Sequence, residues 1–327
     1  MYNKKSVSII FVFGVLTTLV LFAALNVSRS AYKKNNKLDV ESIEETKFNQ
    51  LKYYVLDASE PSLYLNAENL NIMGKNDLFF TKPTGYLINA DKEKINYKGD
   101  VGTFTERTTE LKLDGNVVVK LKKSQHTSDD FYYNGKKKYF EATGNVSSNI
   151  YDEKTKDTIS VKANFLNSWI AEERSLFLGD VRGKLKRRRQ YEGGFNFTSE
   201  RMEANLLKSR IDLTGDVHLK RNNYHLESGR AEIFLENYNK KLKYYVLYDD
   251  IKLEEKLQQF DGTQALRRAY SEKLEGYMSE SKVVLSGAPR VEQGDDLIKG
   301  YQITLRENVE LVEVDDSQSS FSLNKDK

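Results

Sequence analysis

Beyond residue 50 the chain alternates apolar and polar residues with a period of two. Leu111-Lys-Leu113 and Val117-Val-Val119-Lys-Leu121 show the pattern, and Ile211-Asp-Leu213 and Val217-His-Leu219 repeat it. This period puts successive side chains on opposite faces and predicts antiparallel strands with one buried and one wet face. Between paired runs stands a token of Gly, then Asp or Asn, then Val. It occurs at Gly99-Asp100-Val101, Gly115-Asn116-Val117, Gly144-Asn145-Val146, Gly179-Asp180-Val181 and Gly215-Asp216-Val217, with echoes at Asp249-Asp250-Ile251 and Glu307-Asn308-Val309. Gly, Asn and Asp tolerate positive φ, so each token is expected to be the turn of a hairpin. Gly144, Gly179 and Gly215 lie 35 and 36 residues apart, which predicts repeats of three or four short strands. Thr158–Leu166 and Glu200–Asn205 carry a second strand pattern, with Ala163 and Ala204 in comparable places. The expected architecture is a repetitive all-β body in which each unit packs on its neighbours.

Two segments depart from the alternation. From Ile251 to Tyr277, the spacing of Leu253, Leu257 and Phe260, then Leu266, Tyr270 and Leu274, predicts a short helix. Asp261-Gly262 interrupts it, and a strand follows. At the N-terminus, Lys4 and Lys5 precede an uncharged apolar run from Val7 to Val27. A helix of that length spans roughly 30 Å, the thickness of a bilayer core, so residues 1–28 are expected to be a transmembrane anchor. Ser28-Arg29-Ser30 leaves open the alternative of a cleaved signal peptide, although such apolar stretches are usually only about 7–15 residues long. Residues 29–48 read as a polar tether and residues 316–327 as a polar tail.

Composition removes several classes of function. Lys+Arg 51 against Asp+Glu 48 leaves a net charge of +3, too balanced for a dedicated nucleic-acid binder. Without cysteine there is no lipoprotein anchor, thiol chemistry or zinc ribbon. Three histidines leave little for catalysis, so neither enzyme activity nor a cofactor is expected. His218 and His225 stand seven apart in a strand–turn context, a spacing that argues against a shared metal. Lys184-Leu-Lys-Arg-Arg-Arg189 is expected to be a solvated edge or turn, with contact to lipid phosphates as the functional alternative. Trp169 reads as a packed anchor, and Asp129-Asp130, Asp295-Asp296 and Asp315-Asp316 as turn or tail residues.

Several motifs resemble a known family. Arg267-Arg-Ala-Tyr-Ser-Glu-Lys-Leu-Glu275, Val283-Val-Leu-Ser-Gly-Ala-Pro-Arg-Val-Glu-Gln-Gly294 and Ile298-Lys-Gly-Tyr-Gln-Ile303 are similar to the OstA/LptA-type repeat, with Ser286 where a Thr is usual. Phe79-Phe-Thr-Lys-Pro83, Leu87-Ile-Asn-Ala-Asp91 and Leu111-Lys-Leu-Asp-Gly-Asn-Val117 resemble LptC, as does the single N-terminal span. The chain is longer than a typical LptC, as if LptA-like repeats had been fused on. The resemblance implies an elongated open β-jellyroll of two antiparallel sheets behind one transmembrane helix. An LptC-like part would cover residues 49–190, and an OstA/LptA-like part, residues 191–315, would continue the same groove. It further implies an inner-membrane protein with its bulk in the periplasm of a Gram-negative bacterium. Lipopolysaccharide would arrive from an ABC transporter of the LptB/LptF/LptG kind and pass to an LptA-like or LptD-like acceptor.

Within that reading Leu113, Val117, Val119, Leu213, Val217, Leu219, Val283 and Leu285 are the lipid-groove candidates, since alternation places them on the inner face. Tyr301, Ile303, Leu305, Val309 and Leu311 are the candidates for a docking edge, where a partner strand would add to the C-terminal hairpin. Roughly 24 strands in two sheets, spaced about 4.8 Å, would give a trough roughly 55–60 Å long. The alternative is a structural or adhesive β-solenoid with a closed core and no lipid cargo.

Overall fold

Alternation wins almost everywhere, and the period-two runs extend into longer strands than the tokens suggest. The structure, a computed structural model, describes residues 46–57, 60–73, 77–88, 92–151, 156–186, 194–221, 223–236, 242–258, 264–306, 312–315 and 318–320. These form 22 strands. The first six are β1 (Thr46–Asp57), β2 (Glu60–Met73), β3 (Asp77–Thr81), β4 (Thr84–Ile88), β5 (Lys94–Lys98) and β6 (Val101–Thr105). Ten long strands follow: β7 (Glu110–Leu121), β8 (Ser124–Asn134), β9 (Tyr139–Tyr151), β10 (Thr158–Trp169), β11 (Arg174–Lys186), β12 (Phe195–Asn205), β13 (Arg210–Arg221), β14 (Tyr224–Leu235), β15 (Leu242–Gln258) and β16 (Gln264–Tyr277). The last six are short: β17 (Lys282–Ser286), β18 (Arg290–Gln293), β19 (Asp296–Lys299), β20 (Gln302–Arg306), β21 (Val312–Asp315) and β22 (Gln318–Ser320). One 3-10 turn, Ile170–Glu172, joins β10 to β11.

The tokens are corners inside strands, not hairpin turns. In β7, β9, β11 and β13 both the Gly and the following Asn or Asp have positive φ: 78° and 50°, 73° and 47°, 77° and 48°, 80° and 43°. The ladder slips register at each corner, as between Asp114 and Val117 or between Thr214 and Val217. The echo at Asp249-Asp250 bends β15 in the same way, with φ of 70° and 52°. Two consecutive left-handed residues turn the strand without ending it, so every long strand lies half in one layer and half in another. Glycine is required at these corners for a second reason. A Cβ at Gly115, Gly144, Gly179 or Gly215 would meet Asp100, Asp129, Asn164 or Glu200 in the neighbouring row at 2.3–2.6 Å. Glycine corners therefore alternate with strands that put an acid or amide against the bare Cα. The 35–36-residue period is one pair of long strands, in place of three or four short ones. Asp129 accordingly sits at a corner within β8 and not in a turn.

The first token behaves differently. Gly99-Asp100 separates β5 from β6, neither residue has positive φ, and Val101 faces solvent. Asp100 accepts hydrogen bonds from Lys82 Nζ and Asn116 Nδ2, both 2.6 Å away. The Lys82 ammonium and the Asn116 amide hold its carboxyl below the usual carboxylate range.

Beyond β1, the first layer takes residues 69–73 of β2, then β3, β6, one half of each strand from β7 to β16, and β17, β20 and β21. The second takes residues 63–66 of β2, then β4, β5, the remaining halves, and β18, β19 and β22. Each layer is thus about 17 rows deep with β1 included, roughly 75 Å at about 4.8 Å per row. One apolar core runs between the layers from Leu63 to Leu305. Residues 45–327 form one compact unit, and β11 pairs with β12, so the ladder continues across position 190 with the usual slip at the corner.

The expected helix within 251–277 is replaced by β15 and β16, paired antiparallel from Ile251↔Ser271 to Gln258↔Gln264. The inward set on β15 is Ile251, Leu253, Glu255 and Leu257. A charged residue in the third place interrupts the apolar alternation and leaves Leu253 and Leu257 at a helix-like spacing. On β16 the same inversion recurs, with Arg267 fully buried and Leu266 exposed. The expected anchor at 1–28 and most of the tether lie outside the described residues. Among those described, no helix is long and apolar enough to cross a membrane.

Candidate functional site

The space between the layers is the candidate site, and its lining grades from the corner row outward. Leu113, Val117, Leu213, Val217 and Leu285 flank the corners and are buried to 2% exposure or less. Val119, Leu219 and Val283 stand further from the corners and are slightly more open, at 5–7%. Leu121, Ile159, Phe195, Leu235 and Leu242 come next towards the strand ends and are only partly buried. All eight groove candidates therefore face inward. Five of them are packed into the wall, and the rim residues, which sequence reasoning did not single out, are the more accessible apolar ones.

Both layers contribute to a small void in the C-terminal half. Phe195, Leu219, Arg221, Tyr224 and Leu226 come from the second layer, and Ile233, Leu242 and Tyr245 from the first. Its volume is about 20 Å³, room for about one water, so the protein's own side chains fill the trough there. A separate cleft of about 630 Å³ opens on the outer face near β3, β6 and β7, with exposed Phe79 and Val101 at its mouth among polar residues such as Asn69, Lys112 and Glu141.

Among the described residues, few polar side chains lie inside the trough. His126 lies on the inner side of β8, with Nδ1 2.9 Å from Ser148 Oγ and its ring 5.6 Å from that of Phe140. Burial pushes its pKa down to about 4, so the imidazole is neutral. The Tyr97 hydroxyl donates to the Tyr64 carbonyl at 3.1 Å, passing over Gly85, where a Cβ would obstruct it. Burial pushes that phenol above its ordinary range. In the C-terminal half the Arg267 guanidinium donates to Glu255 Oε2 at 2.5 Å and to the Arg306 carbonyl at 3.1 Å. Asn223 Nδ2 donates to the other Glu255 oxygen at 3.3 Å. Arg306 belongs to the first layer, so Arg267 ties the layers together. Arg221 does the same nearer the rim, donating to Met278 Sδ at 3.6 Å.

The docking-edge candidates divide. β20 is paired on both sides, with β17 and β21, and Ile303 and Leu305 are core residues. They therefore offer no free ladder edge. Tyr301 is 78% exposed between β19 and β20. Val309 and Leu311 lie outside the described residues. The terminal ladders belong to β21, with Glu313 and Asp315 exposed, and to β22. At the opposite end β1 pairs with β2 and exposes Phe48, Tyr54 and Leu56. Trp169 is packed between the Tyr139 ring and the Arg174 guanidinium.

His218 and His225, seven apart in sequence, are neighbours in space. β13 ends at Arg221 and β14 begins at Tyr224, so this tight connection folds His225 back beside His218, their rings 5.5 Å apart. Residues at i and i+2 on adjoining strands share a face, a signal that sequence separation alone conceals.

Two family models match the chain. Residues 11–167 match the family described as "Lipopolysaccharide-assembly, LptC-related". Residues 196–310 match "LptA/(LptD N-terminal domain) LPS transport protein". The chain is thus similar to an LptC-related protein over its first part and to an LptA-type protein over its second. Among solved structures it is similar to LptH, the LptA homologous periplasmic component of the conserved lipopolysaccharide transport device from Pseudomonas aeruginosa. That likeness has 12% identity and a TM-score of 0.36, and covers 39% of this chain and 94% of LptH. No curated protein matches the chain. The two family regions meet within β10–β12, where the apolar interior is continuous.

Proposed function

We propose that this LptC–LptA-type chain is a periplasmic conduit for lipopolysaccharide, held to the inner membrane by residues 7–27. It takes the lipid from an ABC transporter of the LptB/LptF/LptG kind and passes it to an LptA-like or LptD-like acceptor. It performs no chemistry on the lipid. The apolar interior shared by both family regions carries this reading. Each acyl CH₂ brought into water costs about 0.8 kcal/mol, so a lipid with several chains needs continuous cover along its route. The two layers act as an open jellyroll: the corner row is the closed spine, and the rim, with Leu121, Phe195 and Leu242, is the mouth. Because the void is small, acyl chains enter by parting the rim side chains while Leu113, Val117, Leu213, Val217 and Leu285 hold the spine. Residues 49–190 and 191–315 serve as receiving and delivering halves of one groove, and the β21–β22 end accepts the next protein's strand.

The test is photo-crosslinking in living cells. A reactive residue at inward-facing Val119 or Leu219 should capture lipopolysaccharide, and one at exposed Lys120 should capture far less. Equal capture at Val119 and Lys120 removes the groove. No capture at any of these positions, with no lipid in the purified protein, leaves the closed structural solenoid as the better reading.

A further inference from the structure

We propose that the outer face of the β13–β14 hairpin holds a divalent transition metal, with Zn²⁺ the best fit, between His218, His225 and Glu227. Val217, Leu219 and Leu226 point into the core, so the alternating residues Asp216, His218, His225 and Glu227 share the solvent face. The register pairs His218 with Glu227 and Lys220 with His225, bringing two of the chain's three histidines together. Their rings stack at 5.5 Å with 22° between planes. One donor atom from each of His218, His225 and Glu227 lies within 4.8 Å of the others.

The distances suit a small cation. Ligands at about 2.0–2.1 Å in a tetrahedral site stand about 3.3 Å apart. His225 Nε2 and Glu227 Oε1 are already 3.1 Å apart, and a His218 ring nitrogen lies within 4.8 Å of them. Two imidazoles with one carboxylate select Zn²⁺ and its neighbours over Ca²⁺ or Mg²⁺, which prefer all-oxygen sites. Asp216 Oδ1 is 3.0 Å from His218 Nε2, and a carboxylate in that place fixes the orientation of a ligating ring. Two lysines flank the site: exposed Lys220 stands opposite His225 in the register, and Lys252 Nζ is 3.9 Å from Glu227 Oε2. Lys252 lies closer to Glu254, at 3.3 Å, which leaves Glu227 for the metal. Bound there, the ion ties together two strands whose inner faces supply Leu219, Tyr224 and Leu226 to the trough wall. The proposal does not depend on the lipid reading.

The full-length protein, detergent-solubilised and stripped with chelator, is titrated with Zn²⁺ by calorimetry and with Co²⁺ by visible absorption. One equivalent should bind, with the intense Co²⁺ bands of a tetrahedral site. His218→Ala and His225→Ala should each weaken binding at least tenfold, Asp216→Asn should weaken it roughly tenfold, and Lys120→Ala, on an exposed position of β7 outside the hairpin, should leave it unchanged. His225→Gln, a gentler replacement, provides the same loss in a chain whose circular dichroism matches the native one. Saturation only at millimolar metal, or one-equivalent binding that survives the His218→Ala/His225→Ala double variant, overturns the proposal.

Discussion

The two halves of the trough share one architecture but treat buried polarity differently. In the LptC-related half the hydrogen bonds deep in the interior join neutral groups: His126 faces Ser148, and Tyr97 reaches the Tyr64 carbonyl. Both hydrogen bonds stay within the second layer, and only ring packing, as of His126 on Phe140, crosses to the first. In the LptA-type half the interior holds a charged pair, Glu255 with Arg267, whose guanidinium also reaches the first layer at Arg306. Removing two charges from water costs several kcal/mol per ion, and mutual attraction seldom returns more than that. The pair therefore adds little net stability, but it fixes how the two layers meet. One half is held by area alone, and the other is held by area and pinned at a point.

Breaking the pin should have the largest effect. Arg267→Leu leaves Glu255 buried without its guanidinium and should destabilise the full chain by about 3–5 kcal/mol, read from urea unfolding midpoints. The double variant Glu255→Leu/Arg267→Leu replaces the pair by apolar side chains of similar volume and should recover most or all of that loss. If the single and double variants are equally unstable, the pair is a net stabiliser, and the contrast between the halves is one of strength.

The next effect tests the corners. Gly144→Ala forces a Cβ onto a residue at φ 73° and within 2.3 Å of Asp129 Oδ2, and should cost about 1–3 kcal/mol. Gly99→Ala sits in the same token at ordinary φ, with its nearest neighbour Leu113 Cβ at 3.5 Å, and should stay within about 0.5 kcal/mol of native. Comparable melting temperatures for the two variants would mean that the corner geometry is not what selects glycine.

This contrast also marks how far the sequence could be read. The alternation revealed the β class, the inward residues and the special φ of the tokens. It did not reveal that a Gly-Asn pair bends a strand in its middle, because a hairpin makes the same local demand; only the partner strand, with Asp129 opposite Gly144, separates the two. The buried pair was hidden for a different reason. Glu255 and Arg267 occupy inward places where the pattern leads one to expect apolar residues, so the alternation seemed to lapse and β15–β16 resembled a helix. The family motifs were legible because they are local. The histidine cluster was not, because it depends on the register between two strands.

The smallest effect is a pH dependence confined to the neutral half. The unfolded chain protonates His126 near the ordinary value of about 6.5, and the folded chain only near 4. Between those values the unfolded state binds more protons, so stability falls as pH falls from about 6.5 towards 4 and levels off below. For this one residue the loss from pH 7.5 to pH 6 is about 1 kcal/mol. His126→Gln keeps a polar side chain beside Ser148 and cannot take up the proton. Subtracting the two unfolding curves at each pH isolates the histidine from the carboxylates that titrate elsewhere in the chain. A difference that grows on acidification places a neutral imidazole in the trough wall. A difference that stays flat over this range would mean that water reaches His126 and that the LptC-related half is more open at its rim than the packing around Phe140 implies.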